Sequence, residues 1–180
     1  SAIARDVGVE TVTVQSYFQI LEDTLIGFFL PAFHRSVRKQ QRQSPKFYLM
    51  DSGMKRALDR TLDIPLKGGT YEFGRAFESF VMNELYRLND YHQKDYALSY
   101  LMTKDGLEID VVVDRPGRPL ALVEIKSTTC VDARDLRALV SLQDDFAQAE
   151  SFCLSLDPHE RIVGRVNVLP WQVGMTELGL

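Results

Sequence analysis

The sequence of 180 residues is poor in the parts that several common chemistries need. Cysteine occurs twice, at Cys130 and Cys153, with no CxxC spacing, and His34, His92 and His159 lie far apart. That excludes a zinc cluster of local spacing and gives no disulfide framework. Reduced structural thiols in a cytoplasmic protein are the expectation. There is no GxSxG, GxGxxG or GxxxxGK[ST], hence no nucleophile elbow, dinucleotide fingerprint or phosphate loop. Any ATP site lies outside these residues. No apolar run reaches membrane-spanning length, and the first residues lack the basic, apolar and small segments of a signal peptide. The opening "SAIARDVGV" begins inside an amphipathic segment, so the sequence reads as a piece of a longer protein.

What is present is ordinary in amount and uneven in placement. Hydrophobic residues make up 45% and charged residues 26%, enough for a soluble domain with a sizeable core. The net charge is −4, yet "HRSVRKQQRQSPK", residues 34–46, holds five basic residues and no acid. Arg35, Arg38, Lys39, Arg42 and Lys46 therefore form a candidate phosphate-contacting stripe on an acidic protein, with a solvated loop as the alternative.

Element signals divide the chain near "IPLKGG". Before it, Gly8 separates two amphipathic helical stretches, and "LIGFFLPAF" and "PKFYLMD" are strand-like on either side of the basic run. This is a winged-helix-like layout over residues 1–62, with the basic run at its wing. Asp51 or Ser52 is placed to cap a short helix. After the linker, residues 66–180 open with "TYEFGRAFESFVMNELYRLNDY", a helix with Phe73, Phe77, Phe80, Val81, Leu85 and Leu88 on its apolar stripe. Glu84 falls near the middle of that stripe and Glu78 on its flank. Three strands follow, "YALSYLMT", "LEIDVVVDR" and "LALVEIKST", then a helix over "VDARDLRALVSLQDDFAQAE". That helix has Leu136, Leu139, Val140, Gln143 and Phe146 on one side. "SFCLSL" and "GRVNVLP" close the chain as two more strands. The order is that of an α/β sandwich with a mixed sheet.

"LVEIKST" puts Glu124 and Lys126 two apart, hence on one face of a strand. Alone, this is the exposed side of a half-buried strand. The hairpin changes the reading. Centring its "RPGRP" turn on Gly117 sets Val112 opposite Leu122, Val113 opposite Ala121, and Asp110 opposite Glu124. Opposed like charges are destabilising unless a positive charge joins them. Lys126 is one such charge and a divalent cation another. Mg²⁺ commonly takes one or two carboxylates and several waters, so Asp110 and Glu124 are the candidate metal ligands, with the Ile125 carbonyl a third contact.

With these motifs in hand, "IDVVV…ALVEIKS" preceded by "FGRAFESFVMNEL" resembles the PD-(D/E)xK nuclease-like superfamily. More closely, "ARDVGV", "YFQILEDTLIGFFLPAF", "KFYLMDSG", "GRAFESFVMNEL", "LEIDVVVD" and "VEIKS" together resemble the C-terminal region of a family of prokaryotic AAA-type ATPases. The resemblance implies a winged-helix segment followed by a restriction-endonuclease-like α/β sandwich, with an ATPase domain earlier in the same chain. It implies Glu78 as the helix acid, Asp110 as the strand acid, and Glu124 and Lys126 as the final pair. Glu84 is the rival helix acid. Mg²⁺ or Mn²⁺ is the implied cofactor and DNA the implied substrate; no membrane partner is expected from the hydropathy, and the oligomeric state is open. The alternative is a non-catalytic module that binds nucleic acid or protein and regulates the ATPase. Some nuclease branches add a Gln and a Tyr on the following helix; Gln143 matches, but four positions on stands Ala147.

Overall fold

The computed structural model describes residues 2–34 and 44–180. Helices α1 (Ala2–Val7) and α2 (Thr11–Asp23) meet at Gly8, whose φ of 73° ends the first helix. Strands β1 (Gly27–Leu30) and β2 (Lys46–Leu49) then pair antiparallel. Their close approach needs Gly27, because a Cβ there would lie 2.5 Å from the Tyr48 carbonyl oxygen. Helix α3 (Ser52–Leu58) follows, capped by Asp51, which accepts a hydrogen bond from the Met54 amide at 2.6 Å.

Helix α4 (Tyr71–Tyr91) is capped by Thr70 and buries Phe77, Val81, Met82, Asn83 and Leu85. Strands β3 (Ala97–Met102), β4 (Glu108–Asp114) and β5 (Ala121–Lys126) come next, then α5 (Arg137–Leu142) and β6 (Glu150–Ser155). Strands β7 (Arg161–Val163) and β8 (Val166–Pro170) and helix α6 (Trp171–Leu178) complete the chain. The large sheet has the order β3-β4-β5-β6-β8-β7. Strands β5, β6 and β8 run parallel, and the other neighbours antiparallel, so the protein is a mixed α/β structure with a six-stranded mixed sheet.

Both sheet faces are covered. Phe77, Val81 and Leu85 of α4 pack with Val111, Val113, Val123 and Leu154, and α6 adds Met175 and Leu178. Leu139 and Leu142 of α5 cover Val112, Leu122, Cys153 and Val168 on a second core. The first core also contains Phe28, Leu30, Ala32 and Tyr48, so the small sheet shares apolar packing with the large one. Ala32 forms a parallel bridge to Tyr100 of β3, which continues that link.

Three expectations change here. The helix expected over residues 131–150 is confined to Arg137–Leu142. The Asp132 carboxylate accepts from the Arg134 and Asp135 amides, a local alternative that delays the helix start. Val140, expected to face inward, is 53% exposed, and Leu142 is buried instead. Strand β7 and helix α6 lie in a stretch expected to hold one strand. Gly174 inside α6 masks its helical pattern, yet that glycine lets the helix sit against Leu154, where a Cβ would come within 2.1 Å.

Candidate functional site

The β4–β5 hairpin turns through Arg115–Arg118, with the Arg118 amide donating to the Arg115 carbonyl at 3.0 Å and Gly117 at φ 75°. Proline at the second position and a left-handed glycine at the third suit a type II turn. The ladder runs Val113↔Ala121, Val112↔Leu122 and Val111↔Val123, the register read from the turn. One step further it stops. There the Ile125 amide donates to the Asp110 Oδ2 at 2.8 Å, so a carboxylate replaces a backbone acceptor.

On the other side of β4 the cause is visible. Ser99 pairs with Val112, but Leu101 pairs with Ile109, so β4 carries one more residue than β3 between these points. Such a β-bulge re-aims side chains and ends regular pairing. Ile109 accordingly joins the same core as Val112, while Val111 joins the opposite one. Asp110 lies inside this irregularity.

Strand β5 is buried along Ala121–Ile125, which rules out a plain exposed face for Glu124 and Lys126. The Glu124 side chain is 8% exposed and accepts from Lys126 Nζ at 2.5 Å through Oε1. Its Oε2 is buried without a hydrogen-bond partner. Glu78 on α4 completes the expected group, its Oε1 accepting from the Tyr48 hydroxyl at 2.8 Å. Glu84 sits elsewhere. It pairs with Arg87 at 3.3 Å on a partly exposed face, which corrects its expected place in the apolar stripe.

Burial, then the charges of Glu124 and Glu78, pushes the Asp110 carboxyl up to about 8, against the Ile125 amide and Lys126. Burial also holds Glu124 above the usual carboxylate range; Lys126 opposes this, and Glu108 and Glu78 add to it. For Lys126, burial works against the charge, but Glu124 and Asp110 outweigh it and hold the ammonium above its ordinary value. The buried Cys153 thiol, paired in register with Glu124, is pushed up to about 12, chiefly by burial, and stays protonated.

The sequence reading missed two contributors. Glu108 is ion-paired with Lys46, whose ammonium also lies 5.1 Å from the centre of the Tyr100 ring. Lys46, expected on nucleic acid, is thus turned toward the acids. The second is Tyr48, whose spacing of two from Lys46 in "KFY" signals a shared strand face. Arg35, Arg38, Lys39 and Arg42 lie outside the described residues. Among the described residues, no group of three or more His, Cys, Asp or Glu side chains has a metal-holding arrangement, and no helix is long and apolar enough to cross a membrane.

Four carboxylates (Glu78, Glu108, Asp110 and Glu124) therefore interact electrostatically with two lysines, Lys46 and Lys126. The arrangement concentrates negative charge, which favours uptake of a proton or attraction of a cation.

Comparison with known proteins places this site within a recognised sequence family. Residues 1–65 match a "Domain of unknown function (DUF8612)". Uncharacterized proteins of Mycobacterium bovis and Mycobacterium tuberculosis are each 30% identical over 142 residues, covering 78% of this chain. The chain spans only 31% of the length of these relatives. A solved chain from the half-complex of Thermococcus gammatolerans McrB AAA+ hexamers with bound McrC aligns at 12% identity and a TM-score of 0.36, over 86% of this chain and 59% of that one. Residues 73–173, which hold Glu78, Asp110, Glu124 and Lys126, match the "Domain of unknown function (DUF4143)", and the chain belongs to that family.

Proposed function

We propose that this chain is a nuclease-like module of an AAA-type ATPase, hydrolysing phosphodiester bonds in DNA with Mg²⁺ or Mn²⁺. In this reading residues 1–62 form a winged-helix segment, and residues 66–180 a restriction-endonuclease-like sandwich. The ATPase domain would precede it in a longer protein, as the resemblance of the ordered motifs implies. The observation that carries the reading is the convergence of Asp110, Glu124 and Glu78 beside Lys126 where β4 and β5 stop pairing.

A divalent ion fits the residues present. Even with Asp110 protonated the remaining carboxylates outnumber the two lysines, and Glu124 Oε2 is a buried oxygen without a partner. Asp110 and Glu124 would hold the ion, with waters filling most of its coordination. When bound, it would supply Lewis-acid polarisation of a phosphoryl oxygen.

The chain's own groups have separable tasks. Lys126, beside Glu124, would orient the attacking water and offset charge growing on the phosphate. Glu78 would order a water from the helix side. The Ile125 amide fixes Asp110 by donating to its Oδ2. The test is incubation of the full-length protein with DNA and Mg²⁺ or Mn²⁺. Cleavage should fall by about a hundredfold or more in Asp110→Ala and Lys126→Ala. No cleavage by the parent, or cleavage indifferent to both substitutions, would contradict the reading.

A further inference from the structure

The acids that define the candidate site all come from α4, β4 and β5, but two of their contacts, from Tyr48 and Lys46, do not. Tyr48 lies on β2, thirty positions before Glu78 in the chain, and its hydroxyl donates to Glu78 Oε1 at 2.8 Å. We propose that β2 is part of the site and that Tyr48 is its positioning residue, holding the Glu78 carboxylate toward Asp110 and Glu124. This rests on the metal-site reading above and adds to it a residue outside the stretch matched by the DUF4143 family.

The geometry favours a dedicated role over an incidental contact. Tyr48 is only 8% exposed, and its ring stacks on Phe28, with centroids 5.7 Å apart and planes 18° apart. Phe28 stacks in turn on Tyr86 of α4, at 4.0 Å and 15°. The aromatic column ties β1 and β2 to the helix that carries Glu78, which limits the motion of the Tyr48 hydroxyl. A buried tyrosine hydroxyl needs a partner, and here the partner is an acid rather than a backbone carbonyl. The donor is also permanent, because burial and the Glu78 charge hold the phenol above its ordinary range. Lys46, two residues earlier on β2, pairs with Glu108 and so takes that acid out of the competition for a cation. One edge of the small sheet thus organises two of the four acids.

Hydrogen bonds that orient a metal site's acids without touching the metal are worth roughly tenfold or more in metal affinity. The test is isothermal titration of Mn²⁺ into the full chain and its Tyr48→Phe variant, with melting in EDTA measured alongside. Tyr48→Phe keeps the stacked ring and removes only the hydroxyl. Mn²⁺ affinity should fall roughly tenfold, while the melting temperature in EDTA changes little. Glu78→Gln should give a similar loss, and the double variant should be no worse than Glu78→Gln alone. Tyr86→Phe, which removes a hydroxyl from the same column but not from Glu78, should bind as the parent does. Parent-like Mn²⁺ binding by Tyr48→Phe, or additive losses in the double variant, would overturn the role of Tyr48 and leave the metal site standing. No Mn²⁺ binding by the parent would overturn the metal-site reading and this proposal with it.

Discussion

Asp110 carries the strongest electrostatic conflict among the expected site residues. Its carboxyl, at about 8, lies above the ordinary aspartate value of about 3.9. Between those values the folded state binds more protons than the unfolded chain. The contribution is therefore favourable at low pH and is lost as pH rises through about 8. Asp110→Asn retains an oxygen acceptor for the Ile125 amide and removes the charge. Without divalent ions its melting temperature should exceed the parent's by several degrees at pH 8, with the gap closing toward pH 4. With Mn²⁺ at pH 8 the order should reverse, because only the parent gains from metal binding. Thermal melts at three pH values, with EDTA or Mn²⁺, check both signs. A gap that does not vary with pH would show that Asp110 is not the group under strain.

At the scale of elements, two contacts shape the sheet: the bulge in β4 and the seating of α6 on β6. The first places Asp110 beyond the last β4–β5 pair, so its side chain takes over a backbone role. The second is set by Gly174, whose missing Cβ leaves room for Leu154. Leu154 is fully buried and cannot swing into solvent. Gly174→Ala should therefore cost about 1–3 kcal/mol by overpacking, despite alanine's better helix propensity. Chemical denaturation measures this, and a neutral or stabilising result would mean that α6 is loosely docked.

These same elements mark how much could be read before the structure. The β4–β5 register was legible because "RPGRP" is symmetric about a glycine that the turn requires. The bulge was not, since it arises from pairing with β3, a relation that no local pattern encodes. Glu78 and Glu84 were distinguishable only in part by periodicity. The buried stripe runs through Phe77, Val81, Met82 and Leu85, which leaves Glu78 on the flank facing the sheet and Glu84 beside Arg87. Tyr48 was out of reach for a different reason. Its partner lies on another element, and only packing brings the two together.

For the whole molecule, the shared core is the main consequence. Phe28, Leu30 and Tyr48 pack in one cluster with Phe77, Val81 and Leu85, although "IPLKGG" lies between them in sequence. A fragment of residues 66–180 would expose that apolar surface and lose the Tyr48–Glu78 hydrogen bond. It should melt at least several degrees below the full chain and bind more hydrophobic dye. Equal melting temperatures would show the two parts to be energetically independent.

The account's central claim is that Asp110 and Glu124 form one half of a divalent-metal site. The most direct measurement is a crystal structure of the protein soaked in Mn²⁺ at pH 8, with anomalous scattering to locate the ion. The account predicts an anomalous peak in coordination contact with carboxylate oxygens of both residues, with Lys126 moved off Glu124. No peak there at saturating Mn²⁺, with the Lys126–Glu124 pair unchanged, would contradict it.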